Sequence, residues 1–499
     1  MAEPRPNIVC FVTDQQRADH LGCMGNPDIR TPNIDRLARE GVVFTESFVA
    51  NVVCMPNRAS MFTGRYPKAH GVRENGIPLQ PTDDALPDVL RRAGYRTAAF
   101  GKLHLRPFGG ERAQGLKPHE LVESREFWAD GGELPLPYFG LEHVYFVGGH
   151  VYYVFGQYKR DLDREHPGAH AMYAKDHALK PPTGAPESWS TPIPPELHYN
   201  TTIADKAIEY IKAHDAGRPF FIWCSFPDPH HPFVAPQPYC DQYDPRAITF
   251  SPIRRDGEID DLPPHFRACY EGRQSTAGLD WDMRRVTDEH LREMIAHTYG
   301  MISMVDDNVG RVVSALEERG LLDDTVIVFL SDHADMMGDH WLGKKGPFLF
   351  RSLTRIPTVW RLPKRFGARR ESDALVSSVD LMPTLLDLAG VPAPDGVQGV
   401  SYRQVLTGEK EAIRDWAYIE YDESYINDRL RQIRSKGWAI TYHVNSGDGM
   451  LFDLRSDPRE LHNVWNDPKH RDVKRDLLVE LLRQTAQADD WLPLKKSHA

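Results

Sequence analysis

No run of 18 apolar residues occurs in this sequence, so nothing in it reads as a membrane-spanning helix. Cysteine is scarce. The six present among 499 residues, Cys10, Cys23, Cys54, Cys224, Cys240 and Cys269, lie far apart and never in CxxC spacing, which argues against a disulfide framework or a zinc knot. Charge of one sign does not dominate locally either. The formal net charge is -11 with acids and bases mixed throughout, so no basic face for nucleic acid or an anionic membrane is expected, and an anionic substrate would need locally placed cations. Internal repeats and low-complexity tracts are absent. The short polar start, residues 1–6, runs at once into Ile8-Val9-Cys10-Phe11-Val12, so no signal peptide is expected. The expectation is a soluble, reduced, cytoplasmic protein.

What is present is enough to bury a large core: 41% hydrophobic and 26% charged residues over 499 positions. Short Val-, Ile- and Phe-rich runs at 8–12, 97–100, 220–226 and 326–330 alternate with helical patterns at 33–40, 85–93, 201–213 and 289–318. That alternation predicts an α/β fold with a sheet buried on both faces and flanked by helices. A catalytic domain is expected over 1–400, with a loop-rich insertion at about 107–195, where Gly, Pro, His and Tyr are frequent and periodicity is weak. After the Gly/Pro-rich joint at 390–399, strand-like runs and a helical stretch at about 473–486 predict a smaller α+β domain over 401–499.

Chemistry gathers at the ends of two of these strands. The first ends in Thr13-Asp14-Gln15 and that at 326–330 ends in Ser331-Asp332-His333, which is where open α/β sheets place ligand sites. Asp14 alone reads more readily as a turn or helix-capping residue than as a ligand. With Gln15, Asp332 and His333, however, it makes a donor set suited to one divalent cation; the imidazole leans the choice to manganese or zinc, with calcium remaining an option. Cys54-Met55-Pro56-Asn57-Arg58 places a cysteine on a turn entering a helix, an anion-favouring position. Unmodified, that cysteine fits either a thiolate nucleophile or a small buried apolar residue.

The run from Cys54 through Pro56, Arg58, Ala59, Ser60, Thr63 and Gly64 to Arg65 resembles the type I sulfatase signature. The resemblance extends from Asp14 through Pro32-Asn33-Ile34-Asp35-Arg36-Leu37 to Leu454-Arg455-Ser456-Asp457-Pro458-Arg459-Glu460, nearly the whole chain. It implies an alkaline-phosphatase-like fold, a large central mixed sheet with a small C-terminal sheet, and oxidation of Cys54 to formylglycine. It further implies that Asp14, Gln15, Cys54, Asp332 and His333 surround the metal and that Arg58 holds the formylglycine hydrate. Lys102 and His104 resemble the lysine and histidine beside the nucleophile, and His230, or less readily His231, the histidine facing the leaving oxygen. Lys345 resembles the lysine that follows the Asp-His ligands, with Lys344 a solvated neighbour. Asn75 resembles a substrate-side amide, although it also fits a turn. The implied partners are a small-molecule ester substrate, a formylglycine-generating enzyme during maturation, and further copies of the chain in a homo-oligomer.

The resemblance also implies the reaction. One hydroxyl of the hydrated formylglycine attacks sulfur in line with the leaving alcohol, and His230 with Lys345 stabilises or protonates the departing oxygen. His104 then removes the proton of the remaining hydroxyl, so that sulfate is expelled and the aldehyde returns, while Lys102 orients that hydroxyl. One departure bears on substrate: many family members carry two adjacent aspartates where this chain has Asp14-Gln15. Asp-Gln pairs occur in phosphonate monoester hydrolases and choline sulfatases. Sulfate-ester hydrolysis is therefore the expected activity, with phosphonate monoester or phosphodiester hydrolysis as the alternative. A phosphotransferase or phosphomutase would carry Ser or Thr in place of Cys54, and a non-catalytic anion-binding protein would not need so complete a charged set. His143, His150, His166 and His170, in the insertion, could with Tyr152, Tyr153 and Tyr158 line a leaving-group pocket, but they read better as exposed loop residues and carry no assigned chemistry.

Overall fold

A computed structural model describes residues 5–109, 115–180, 183–215, 217–273, 281–367, 370–424 and 426–490. Residues 110–114 and 181–182 of the expected insertion, 425 and 491–499 of the expected C-terminal domain, and 1–4 of the polar start lie outside the described residues.

Nine strands form the central sheet: β1 (Asn7–Thr13), β2 (Val42–Phe44), β3 (Arg96–Gly101), β4 (His143–Gly148), β5 (Phe155–Gly156), β6 (Phe220–Ser225), β7 (Thr325–Ser331), β8 (Thr358–Arg361) and β9 (Arg370–Ser372). Their order is β9-β2-β8-β7-β1-β6-β3-β4-β5. The middle of the sheet, from β7 through β4, is parallel, whereas β8 runs antiparallel to both β7 and β2, and β5 antiparallel to β4. The sheet is thus mixed, as the resemblance implies.

Every residue of β1 and β7 is buried, which is why their sequences run apolar without alternation. Successive side chains still go to opposite faces. Val9, Phe11, Ile327 and Phe329 meet α1 (Pro32–Arg39), and two further helices, Tyr199–Ala213 and Asp288–Glu318, cover the same face. Ile8, Cys10, Val12, Val326 and Val328 meet α2 (Cys54–Thr63) and α3 (Leu86–Arg92) on the other. Along the chain the two longer helices are α4 (Tyr199–Ala213) and α5 (Asp288–Glu318).

Beyond α6 (Leu381–Leu388), strands β10 (Ala417–Glu423), β11 (Asp428–Arg434), β12 (Trp438–His443) and β13 (Gly449–Asp453) make an antiparallel sheet. One face buries Ile433, Ile440 and Leu451 against Leu477 and Leu481 of α7 (Arg471–Gln487). The other shares a core with Phe48, Val52 and Val53, just ahead of Cys54. The Glu420 backbone N–H also donates to Ala50 O at 3.0 Å, and Asn51 Nδ2 donates to Glu420 O at 2.8 Å. The small sheet therefore backs the turn that leads into α2.

The segment at about 107–195 is more than loops. It supplies β4 and β5 to the central sheet, a helix at Gln157–Glu165 and a strand at Ser188–Thr191. The apolar core of β4 is only Val144-Tyr145-Phe146-Val147, too short beside its Gly- and His-rich flanks to declare itself as a sheet strand. All six cysteines are free, and among the described residues no helix is long and apolar enough to cross a membrane.

Candidate active site

Two neighbouring parallel strands, β1 and β7, end at the same edge in register, Thr13 opposite Ser331. The next residues, Asp14 and Asp332-His333, are thereby delivered side by side. Cys54 arrives from below on the first turn of α2. Ligand atoms of Asp14, Cys54, Asp332 and His333 all lie within 4.8 Å of one another, and all four residues are buried.

Helix α2 is buried along its whole length, so its polar side chains must be satisfied internally. Its capping residue, Val53, offers no side-chain acceptor. Asn51 Oδ1 accepts from Val53 N–H at 2.9 Å and Asn75 Oδ1 from Met55 N–H at 3.1 Å instead. Asn75 is thus exposed but tied to the start of α2 by its carbonyl oxygen. The helix ends at Gly64, left-handed at φ 63°, where a Cβ would come within 2.9 Å of Val397; this explains the glycine in Thr63-Gly64-Arg65. Asn57 Oδ1 accepts from Ala50 N–H at 3.1 Å and from Ser378 Oγ at 2.6 Å, while its Nδ2 donates to the Asp332 carbonyl.

Arg58 is fully buried and its guanidinium spans the two carboxylates. Nε donates to Asp332 Oδ2 at 2.7 Å, Nη2 to Asp14 Oδ2 at 3.4 Å, and Nη1 to Ser225 Oγ at 2.9 Å and Lys102 O at 3.1 Å. Contact of Arg58 is therefore with both carboxylates at once. Lys102 Nζ donates to Asp14 Oδ2. Lys102 follows Gly101, where a Cβ would stand 1.9 Å from Ser225 O; only glycine lets β3 lie this close to the end of β6.

Lys345, arriving from the segment after β7, sends Nζ to Gln15 Oε1 at 2.9 Å, His230 Nε2 at 2.8 Å, Cys54 Sγ at 3.3 Å and His333 Nε2 at 3.3 Å. Gln15 is left-handed at φ 63°, its N–H donates to Asp332 Oδ1 at 3.1 Å, and its Nε2 faces Asp335 and His231. Lys344 is not a solvated neighbour. It is buried, with Nζ donating to Glu187 Oε1 at 3.1 Å and lying 4.5 Å from the Trp281 ring centre.

The charges act on one another in definite directions. Burial alone would raise the Asp14 carboxyl, but Lys102, Arg58, His150 and His333 hold it well below its ordinary range. Burial and the Asp14 carboxylate push the Cys54 thiol up; Lys345, Lys102 and His333 outweigh them and the net direction is down. A thiol so placed is reactive rather than inert. Burial, His150, Lys345 and His231 drive His230 well below the usual imidazole range. Since His230 Nδ1 faces only a carbonyl, His231 O at 2.5 Å, it carries the ring proton, and Nε2 accepts from Lys345. The His230 ring is thus held neutral, with its Nε2 paired to Lys345 Nζ. His104, left-handed at φ 55°, stacks on Phe108 at 3.8 Å and is held far below its usual range by burial, Lys102 and Arg58.

The donor set fits a divalent cation. His333 Nδ1 lies 3.0 Å from the Ala334 carbonyl and must donate to it, which leaves the Nε2 lone pair directed at the carboxylates, Nε2 being 3.5 Å from Asp14 Oδ1 and 3.7 Å from Asp332 Oδ1. Hard carboxylate oxygens, one imidazole nitrogen and the nearby Gln15 amide are ordinary ligands for such an ion.

One residue at the site was given no chemistry by the sequence reading. His150 is not a bystander on an exposed loop: its Nε2 lies 3.2 Å from Lys102 Nζ and its ring stacks on His230 at 3.8 Å with an interplanar angle of 7°. His231 stacks on the other side of His230 at 4.0 Å. The signal was there: Gly148-Gly149-His150 follows the carboxyl end of β4, the same edge that carries Asp14 and Asp332. Tyr158, by contrast, is core, bonded to Tyr173 at 2.9 Å.

A buried carboxylate pair, an imidazole and a thiol that could together hold a metal ion, at the carboxyl edge of a mixed sheet and ringed by lysines and histidines, fit a hydrolase of anionic esters. The chain belongs to the sulfatase family, whose profile matches residues 6–391, and residues 338–487 match the profile described as N-sulphoglucosamine sulphohydrolase, C-terminal. It is a sulfuric ester hydrolase. It is similar to an arylsulfatase of Clostridium perfringens, 29% identical across 96% of this chain and 94% of that protein. An N-acetylglucosamine-6-O-sulfatase of Bacteroides thetaiotaomicron is 26% identical across 96% of this chain and 86% of its own. Among solved structures, the phosphonate monoester hydrolase of Agrobacterium radiobacter superposes with a TM-score of 0.83 at 29% identity, covering 97% of this chain and 96% of that one. The family generally uses a metal and formylglycine, and the described residues contain a group able to hold the former.

Proposed function

We propose that the protein hydrolyses sulfate monoesters with Cys54 converted to formylglycine and one divalent cation, manganese, zinc or calcium, held by Asp14, Gln15, Asp332 and His333. The hydrated aldehyde supplies an oxygen nucleophile, and the cation makes that oxygen more acidic and the substrate's central atom more electrophilic. Lys102, bonded to Asp14, and Lys345, 3.3 Å from Cys54 Sγ, draw the substrate oxyanion in and offset the charge that develops on its oxygens. Lys345 carries the proton that the departing alcohol oxygen needs, and His230, bonded to it through Nε2, relays or shares that proton. His104, neutral because it is buried beside cations, is the base that takes a hydroxyl proton from residue 54 when sulfate leaves. Arg58 keeps the two carboxylates apart in fixed orientation and, next to Cys54 in the same helix, holds the residue 54 hydrate. Maturation needs a formylglycine-generating enzyme. The cytoplasm and assembly into a homo-oligomer remain part of this reading.

The observation that carries the proposal is the convergence of Asp14, Cys54, Asp332 and His333 within 4.8 Å. A second reading, phosphonate monoester hydrolysis, is favoured by Gln15 in place of a second aspartate and by the similarity to the Agrobacterium radiobacter enzyme. Lys102 and His104 favour sulfate. On fully converted, metal-defined protein, aryl sulfates should exceed phenyl phosphonate esters in kcat/KM; the reverse order would move the assignment to the second reading.

A further inference from the structure

His104 stands in a backbone conformation that a side chain beyond glycine rarely adopts, φ 55°. A left-handed residue turns successive backbone N–H groups towards one point, making a concavity that binds anions. Here the concavity is filled from within the chain. Glu123, fully buried, accepts from His104 N–H at Oε2, 2.7 Å, from Leu105 N–H at Oε1, 3.2 Å, and from the Tyr138 hydroxyl at Oε1, 2.5 Å. Burial pushes this carboxyl up to about 7, against the pull of Tyr138, the two backbone donors and Arg106. A carboxylate this deep is costly unless its bonds are made, and two of its three bonds are spent on one turn. The imidazole on that turn lies flat on Phe108, and its Nδ1 is buried without a hydrogen-bond partner among the described residues. Nothing in the backbone of His104 itself explains the left-handed turn; the anion beneath it does.

We propose that Glu123 is a positioning residue for His104: its carboxylate, steadied by Tyr138, fixes the left-handed turn that presents the imidazole to residue 54. This rests on the reading of His104 as the base that acts when sulfate leaves, and it ties the insertion at about 107–195, which supplies both Glu123 and Tyr138, to the later half of the reaction. Glu123→Gln is the sharpest variant, since it keeps size and shape but sets an amide N–H₂ against one of two converging N–H groups. Tyr138→Phe removes one donor and leaves the carboxylate in place.

Two readouts decide it, each compared with His104→Ala as reference. In the crystal structure of Glu123→Gln, determined on protein with unconverted Cys54, His104 should leave the left-handed region or lift from Phe108. In rapid-mixing kinetics on converted protein, kcat should fall by about 10- to 100-fold and KM should fall with it, leaving kcat/KM little changed, because the step impaired follows release of the alcohol. Alcohol should also appear in a burst ahead of sulfate, as it should in His104→Ala; Tyr138→Phe should show the same partition more weakly, and carries the test if Glu123→Gln does not fold. A burst in His104→Ala without one in the Glu123 and Tyr138 variants, or an unmoved His104 in the crystal, overturns the positioning role alone. Release of alcohol and sulfate together in His104→Ala overturns the reading of His104 and this inference with it.

Discussion

His150 reaches the site from the part of the chain least legible as sequence. Its ring is pressed between the Lys102 ammonium and the His230 face, and it is among the groups that lower both Asp14 and His230. Replacing it by alanine removes a partner of a charged group and a stacking surface, so kcat/KM should fall by about 10- to 100-fold, the value of one or two hydrogen bonds to a charged group. Steady-state kinetics with an aryl sulfate check this; an unchanged kcat/KM would return His150 to the surface role its sequence context suggests. The residues that were legible, Asp14, Cys54, Asp332 and His333, share either a motif or a strand end. Glu123 has neither a motif nor a strand end beside it, and His150, although it follows the carboxyl end of β4, sits among Gly- and His-rich flanks that hide that strand. Lys344 misled for a related reason. Its burial depends on Glu187 and Trp281, from two distant segments.

At the scale of elements, helices and strands read well wherever both faces are covered by one period. The helical patterns at 201–213 and 289–318 became Tyr199–Ala213 and Asp288–Glu318, and the apolar run at 326–330 became Thr325–Ser331. Caps read less well, because several come from afar. Helix α4 is an exception that can be tested locally. His198 Nδ1 accepts from Asn200 N–H at 3.3 Å, so the imidazole must stay neutral to cap the helix, and burial holds it down to about 3. The unfolded chain takes up this proton below its ordinary value near 6.5, the folded one only near 3. The stability His198 contributes is therefore complete above pH 6.5 and is lost progressively as pH falls from there towards 3. His198→Asn keeps a capping side chain and removes the proton. Urea unfolding across this window should show the parent losing roughly 1 kcal/mol more per pH unit than the variant. Parallel stability curves for the two proteins would contradict the assignment.

For the whole molecule, the site is where the two halves of the core meet. The central sheet delivers the carboxylates, and the C-terminal sheet, through Phe48, Val52 and Val53, backs the turn before Cys54. Two buried carboxylates facing one imidazole are stabilised by a bound cation in the folded chain only, so the ion should raise the stability of the entire fold. Relative to chelated protein, metal at about 100 times its Kd should add roughly 3 kcal/mol, seen as an upward shift of Tm that saturates with metal. Asp14→Asn should flatten that response, and a Tm indifferent to metal in the parent would remove the cation from the account.

The claim on which the chemistry turns is that residue 54 acts as an aldehyde hydrate and not as a thiol. Mass spectrometry of the peptide bearing Cys54, taken from preparations of graded activity, tests it most directly. The fraction of that peptide in the aldehyde or hydrate form should rise in proportion to the rate of sulfate release and fall to zero, with activity, when the formylglycine-generating enzyme is withheld. Full sulfatase activity from protein whose residue 54 is wholly unmodified cysteine would contradict it.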